Sequence, residues 1–365
     1  MSFPFSRPAP ISIENFASKL QELNANNGFQ ALFQAIGTLT TSEFEGRYRL
    51  TKVAASQSGS RNRYCDMVPY DQSLVLVGRP WSTVMRDPQP QLTVGEVKEG
   101  YINASYVRRP EYGSGGEALV ASMASLPEYI ATQGPRENTV ADFLTMVCQQ
   151  RSPCIIMLCQ CIESGKEKCL QYWPDDLTQT FQSENCNVVV RKESEESIGN
   201  VMRRQLKIHP SNEALPWTVT QFHFMGWSDY DIPNMESLYN LINMQNNFLE
   251  THSVGAEYGP TVVHCSAGVG RTGTFMAARF LLDRLRKNAQ NVDIIGTVLA
   301  MRKWRRCLVQ VPSQLQFLYN FVDFCLVREN LGVESIPPSA VASADYQNAV
   351  QRPQVAAVTK RTISD

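Results

Sequence analysis

The densest chemistry in the chain lies in one string, His264-Cys265-Ser266-Ala267-Gly268-Val269-Gly270-Arg271-Thr272-Gly273. It follows Thr261-Val262-Val263, which reads as a short buried strand, and an amphipathic helix is expected from about Arg271. A strand, a loop of small residues and a helix N-terminus together make an anion site. Successive backbone N–H groups converge on one tetrahedral oxyanion, and the helix dipole adds partial positive charge. Gly268 and Gly270 permit the tight backbone path. Arg271 can form two parallel charge-assisted bonds to phosphate oxygens. Cys265 stands at the mouth of the loop, where the field that holds a phosphate also favours a thiolate, a nucleophile in position. The Gly-x-x-x-x-Gly-Lys pattern of nucleotide-binding loops is absent. A buried cysteine ahead of a glycine loop is the plain alternative, and the full string between an apolar strand and a helix argues against it.

Other segments must position this loop. Phe16, Leu20, Leu23 and then Leu32, Phe33, Ile36 recur at near-helical spacing, interrupted by Asn24-Ala25-Asn26-Asn27-Gly28. The Ser/Gly-rich stretch 54–61 reads as a surface loop. Short β-like runs follow at Leu74–Val77, Tyr101–Val107, Tyr129–Thr132 and Ile155–Leu158. The small residues of 113–125 read as an insertion between strands. Three amphipathic segments fill the second half, around Leu238–Phe248, Phe275–Leu285 and Leu315–Cys325, the last opened by Pro312 with Ser313 and Gln316 in a capping-box pattern. Past Asn330 the chain turns polar and Pro/Ser/Ala-rich, which predicts a mobile tail. The pattern divides into an N-terminal arm and helical segment (1–40), one α/β domain (41–330) and the tail (331–365).

Composition narrows the function class. The 365 residues carry a formal net charge of −1, with 43% hydrophobic and 19% charged residues, an ordinary globular balance. Such a balance argues against nucleic acid or a polybasic membrane surface as the main partner. The 10 cysteines are scattered, without a Cys-x-x-Cys pair, so zinc-ribbon and disulfide-scaffold readings are weak. Cys154, Cys159 and Cys161 flank an apolar run and read as core rather than metal ligands. Neither a signal peptide nor an apolar run of spanning length occurs, so an intracellular chain with reduced thiols is expected.

The string 264–273 resembles the signature loop of classical protein tyrosine phosphatases. Further segments agree in the family's order: Asn62-Arg63-Tyr64-Cys65-Asp66 resembles the phosphotyrosine-recognition loop, and Tyr101–Ser105 and Tyr129–Pro135 resemble core strands. Lys168-Cys169 with Tyr172-Trp173-Pro174 resembles the region after the Glu-bearing loop, Trp227-Ser228-Asp229 the mobile acid loop, and Gln310 with Gln314 the water-positioning glutamines. The resemblance spans about residues 40–330. It implies a highly twisted, mixed central β-sheet flanked by helices, and hydrolysis of phosphotyrosine in proteins without metal or cofactor. It also implies phosphotyrosine-containing proteins or peptides as partners, a monomer, no membrane insertion, and a cytoplasmic location with nuclear access open.

Residue by residue, the resemblance makes Cys265 the nucleophile, Arg271 the phosphate binder and Thr272 a hydrogen-bond donor to the leaving thiolate. Ser266, Ala267, Gly268, Val269 and Gly270 cradle the phosphate. Asp229 is the general acid and then base, with Asp231 as a local rival. Gln310 holds the hydrolytic water, assisted by Gln314. Tyr64 stacks on the substrate ring, and Asp66 accepts bonds from the substrate backbone. His264 orients the loop, Glu163 braces Arg271, Trp227 belongs to the acid loop, and Lys168 approaches Asp229 when that loop closes. The basic run Arg302-Lys303-Trp304-Arg305-Arg306 reads as a solvated helix end, or as an attractor of acidic substrates.

The chain departs from the family pattern at Ser228, where proline is usual, at Asp231, Cys65, Cys307 and Val311. These changes bear on rate and substrate choice. Dual-specificity and phosphoinositide enzymes are disfavoured because the recognition loop is present and the signature loop lacks lysine. A binding module that has lost catalysis is disfavoured because Cys265, Arg271, Asp229 and Tyr64 all remain. A low-pKa thiolate beside the Ser266 nitrogen also predicts reversible inactivation by mild peroxide.

Overall fold

The computed structural model describes residues 7–47, 50–88, 92–183, 186–228, 231–252, 255 and 257–331. A nine-stranded mixed sheet runs through it. Its strands are β1 (Leu74–Leu76), β2 (Tyr101–Val107), β3 (Tyr129–Thr132), β4 (Cys154–Met157), β5 (Thr178–Gln182), β6 (Asn187–Ile198), β7 (Val201–Pro210), β8 (Trp217–Phe224) and β9 (Thr261–His264). Their order across the sheet is β5-β6-β7-β8-β4-β9-β3-β2-β1. The middle strands β8, β4, β9 and β3 are parallel neighbours, and the two wings are antiparallel. Strands β3, β4 and β9 are buried along their whole length, as expected for parallel strands covered on both faces.

The helices that matter for the site are α1 (Phe16–Ala25), α2 (Gly28–Leu39), α3 (Val140–Gln149), α4 (Met235–Thr251), α5 (Gly270–Arg286), α6 (Ile294–Arg302) and α7 (Pro312–Arg328). The break read between α1 and α2 is real: Asn27 takes the left-handed conformation at φ 52°. Phe16 and Phe29 then close on Tyr319 of α7, with ring centroids 6.1 and 5.2 Å away. Helix α5 is buried along most of its length and carries the end of the signature string into the core.

Several expectations change. The stretch 54–61 is not an open loop: Val53–Gln57 is a helical turn, Ala54 and Ala55 are buried, and Asp71 accepts bonds from the Val53 and Ala54 N–H groups. Helix α7 has no capping box. Val311 stands at its N-cap with Pro312 in the first turn, and no side chain caps it. The insertion at 113–125 starts inside a small hairpin, Glu111–Tyr112 paired with Ala118–Leu119. Cys154 and Cys159 are core residues, whereas Cys161 is only half-buried. The long antiparallel strands β5 to β8 were not anticipated. In β7 the buried and exposed positions alternate from Arg203 to Pro210, but the buried series includes Arg204, which hides the apolar period. The polar tail from 332 onward lies outside the described residues.

Candidate active site

Strand β9 ends at His264, and the chain turns through Cys265–Val269 into the N-terminus of α5. This is the carboxyl end of a central parallel strand, where α/β sheets place their ligands. Nearly every carbonyl of the turn has an outward partner. His264 Nδ1 lies 3.2 Å from the Cys265 oxygen, and the Gly134 N–H donates to the Ser266 oxygen at 2.9 Å. Arg305 donates through Nη2 to Ala267 O at 3.0 Å and through Nε to Gly268 O at 2.9 Å. Val269 O accepts from the Val309 and Gly273 N–H groups at 3.2 and 2.9 Å. In a planar trans peptide the C=O and the following N–H point in opposite directions. Tying the carbonyls outward therefore turns the N–H groups that follow them, from Ser266 to Gly270, to the opposite side. Gly268 is required here, because its φ is +69° and a Cβ would meet Thr132 O at 2.1 Å.

Cys265 is 5% exposed at the floor of a cavity of about 230 Å³. The Thr272 hydroxyl donates to its sulfur at 3.4 Å. Arg271 and Glu163 form a buried fork, Nη1 to Oε1 at 2.6 Å and Nη2 to Oε2 at 2.7 Å, and Nη1 also donates to Leu158 O at 3.0 Å. Burial alone would pull the Arg271 pKa down, but Glu163 and the Cys265 sulfur outweigh it and the net shift is upward. Glu163 is held by a tight hairpin, Ile162–Glu163 against Lys166–Glu167, whose turn residues Ser164 and Gly165 both have positive φ. Its Oε1 also accepts from the Gln160 N–H at 3.0 Å.

Tyr64 stands at the rim, 37% exposed, with its hydroxyl 2.9 Å from Ser266 Oγ. Its loop is pinned from below. Gln133 donates to Arg61 O and accepts from the Arg63 N–H, and Arg63 donates to Gly134 O and Pro135 O. Asn62 Oδ1 accepts from Tyr101 and Asn103. Asp66, Lys168, Gln310 and Gln314 line the same cavity. Gln314 Oε1 accepts from the Gln310 N–H at 2.8 Å, which fixes the turn into α7. That turn is strained: Cys307 and Val309 have φ of 62° and 61°, a region that β-branched residues rarely enter. Arg302 holds it by donating to Leu308 O and Val309 O.

His264 is fully buried, with its Nε2 2.9 Å from the Tyr172 hydroxyl, and burial pushes its pKa down to about 3. It is therefore neutral at ordinary pH and serves as a structural hydrogen-bonding group. Trp227 is buried, and its indole N–H donates to Asp231 O at 2.9 Å. The Asp231 carboxylate accepts from the Ile232 N–H at 2.8 Å. Asp229 itself lies outside the described residues.

The basic run at 302–306 corrects its sequence reading. Arg302 and Arg305 are 4% and 0% exposed, and Trp304 is buried with them. Arg305 reaches Asn103 Oδ1 and Ser105 Oγ as well as the signature loop. Arg306, paired with Glu45 at 3.0 Å, keeps the surface position expected of the run. Gln133, Tyr172 and Arg305 are the positioning residues that sequence reading missed. The basic run itself carries no signal that sets buried Arg305 apart from Arg306 on the surface.

The model of the protein-tyrosine phosphatase family matches residues 58–323. The chain is 31% identical over 343 residues to the receptor-type tyrosine-protein phosphatase eta of Gallus gallus, covering 93% of this chain and 22% of that protein. It is 32% identical over 333 residues to the receptor-type tyrosine-protein phosphatase H of Homo sapiens, covering 89% and 26%. It is 32% identical over 302 residues to the tyrosine-protein phosphatase non-receptor type 2 of Rattus norvegicus, covering 82% and 63%. The chain thus spans about a quarter of these receptor-type relatives and under two thirds of the non-receptor one. A cysteine and an arginine in an inward-facing amide loop, matched by the family model over most of the chain, have one consistent reading: this chain belongs to the protein-tyrosine phosphatase family.

Proposed function

We propose that the protein hydrolyses phosphotyrosine in proteins through a phosphocysteine intermediate, within a catalytic unit of about residues 41–330. The Cys265 thiolate attacks phosphorus, so that a sulfur–phosphorus bond forms as the bond to the tyrosine oxygen breaks. Asp229 gives its proton to that oxygen. Arg271 and the inward N–H groups from Ser266 to Gly270 hold the three equatorial oxygens and the charge that spreads over them. Gln310, steadied by Gln314, positions a water. Asp229 takes the water's proton as its oxygen attacks phosphorus, and the thiolate leaves with a hydrogen bond from Thr272. Tyr64 flanks the substrate ring, Asp66 binds the peptide backbone, and Lys168 faces the closed acid loop.

The observation that carries this reading is the outward tethering of the loop carbonyls around Cys265, which leaves an anion cradle with a thiol at its floor. Tyr64 at the rim favours the long aryl ester over a phosphothreonine side chain, which would not reach the sulfur. Among the described residues no helix is long and apolar enough to cross a membrane. A monomer acting on phosphotyrosine proteins in signal transduction, cytoplasmic with nuclear access, completes the proposal. The test compares phosphate release from matched phosphotyrosine and phosphothreonine peptides in EDTA and reductant, with Cys265→Ser as control. Release from phosphotyrosine alone, abolished in the control, is expected. Equal release from both peptides would overturn the role of Tyr64, and tight binding without release would make the protein a recognition module.

A further inference from the structure

A second cavity, of about 490 Å³, lies between the N-terminal arm and helices α1, α2, α6 and α7. It shares no lining residue with the catalytic pocket. Its walls are mainly apolar, with Ile11, Leu23, Leu32, Val292 and Ile295 facing in. Pro8, Ala9, Pro10 and Ile11 of the arm form one wall. Only Ile11–Ser12 pairs as a strand, with Asn291–Val292. Pro8 and Pro10 lack an N–H for that edge and are fixed in φ, so residues 7–10 form a stiff strap. Arg7 ties the strap down, through an ion pair with Asp293 at 3.1 Å and a bond to Ala118 O at 3.0 Å.

The cavity holds an unused polar group. Tyr319 is 2% exposed and lines the cavity, yet its hydroxyl takes no hydrogen bond among the described residues. Its oxygen is reached from the cavity space, which leaves it open to a ligand group. Asp293, also on the wall, accepts from Ala118 N–H, Gly296 N–H and Arg7, and a carboxylate has room for one donor more. Among the described residues the only other charge on the wall is Lys19, already paired with Glu22 at 2.7 Å.

We infer that this cavity is a binding site for an uncharged, mainly apolar molecule carrying one hydrogen-bond donor, a hydroxyl or an amine N–H. The apolar body fills the space between strap and helices. The donor-bearing end meets Tyr319 and Asp293 at the wall. A charged ligand does not fit, because Asp293 is already balanced by Arg7 and the remaining walls offer no counter-charge. The volume lies within the usual range for sites of small organic ligands.

The test is a fluorescence titration of the full chain with N-phenyl-1-naphthylamine, an uncharged apolar amine. A saturable enhancement at one equivalent is expected. Leu32→Trp fills the cavity and should weaken the apparent affinity at least tenfold, with far-UV dichroism and phosphate release unchanged. Ile11→Trp, on the strap, carries the same expectation should the first variant misfold. Tyr319→Phe keeps the ring and should weaken binding at least threefold. Absence of saturation, or an affinity that neither filling variant alters, overturns the site. An unchanged affinity in Tyr319→Phe overturns the donor-bearing class of ligand.

Discussion

The carboxylate of Glu163 meets the guanidinium of Arg271 edge to edge, at 2.6 and 2.7 Å, with both side chains under 8% exposed. The carboxylate occupies one edge of the fork and fixes its plane, so the guanidinium to which the proposed mechanism gives the phosphate is oriented before any ligand arrives. Removing one partner of a buried pair leaves the other charge stranded, at a cost of about 3 kcal/mol or more. Glu163→Ala should therefore lower both thermal stability and kcat/KM, the latter by about 100-fold if the cost falls on the transition state. Calorimetry together with steady-state kinetics on p-nitrophenyl phosphate checks it, and wild-type kcat/KM in the variant would contradict the bracing role.

Arg305 is expected to matter as much as a residue that touches substrate. Without its guanidinium the Ala267 and Gly268 carbonyls lose their outward partners, and the amides that follow them are free to turn out of the cradle. Lysine cannot serve both oxygens in the same fork geometry. Arg305→Lys should cost about 100-fold in kcat/KM, comparable to losing one preorganised oxyanion donor, and should weaken orthovanadate inhibition in parallel. Arg306→Ala, one residue along on the surface, should change either value less than about threefold, the scale of a surface ion pair.

Asp229 and Asp231 separate in a simple comparison. Asp231 contributes its carbonyl to Trp227 and its carboxylate to its own neighbour's N–H, both local duties. Asp229→Ala should lower kcat by two orders of magnitude or more, as about expected for loss of a general acid. Asp231→Ala should stay within a few-fold of the parent. The opposite ranking, measured with an aryl phosphate whose leaving group needs protonation, would reassign the acid.

Two buried histidines predict how stability varies with pH. Burial pushes the pKa of His264 down to about 3 and that of His223 down to about 4, from the ordinary 6.5. Between those values and 6.5 the unfolded chain binds more protons than the folded one. Stability from this source is therefore intact above about pH 6.5 and declines as pH falls, by at most about 1.4 kcal/mol per unit for each histidine. His223→Gln keeps a donor for Cys159 O, which His223 Nε2 contacts at 2.9 Å, but cannot titrate. Urea midpoints between pH 7 and pH 5 should fall less steeply in the variant. Equal slopes would rule out His223 as a source.

The signature string was legible because strand, loop and helix are adjacent in the chain, and local sequence carries local geometry. Glu163 was named only through the resemblance, and the hairpin of Ile162–Glu163 with Lys166–Glu167 that holds it was not read. What sequence could not show is the identity of the outward partners. Gly134, Arg305 and Val309 lie far from the loop in the chain, and nothing in the spacing of a basic run says that two of its arginines point inward. The strands β5 to β8 escaped for a related reason: an arginine inside the buried series of β7 looks like a solvated residue until Trp173 and Gln221 are seen around it.

Those distant ties have a kinetic meaning. Ser266 is held by Gly134, Ala267 by Arg305 and Val269 by Val309, so the cradle closes only after segments on both sides of it have docked. Contacts of such sequence separation form late, because each demands the closure of a long loop of chain. A nascent or truncated chain that ends before Arg305 lacks the partners of the Ala267, Gly268 and Val269 carbonyls, even where β9 has joined β3 and β4. On the proposed mechanism, phosphate binding thus reports on completion of the whole domain, and a partly folded chain exposes its thiol without the means to turn over an ester.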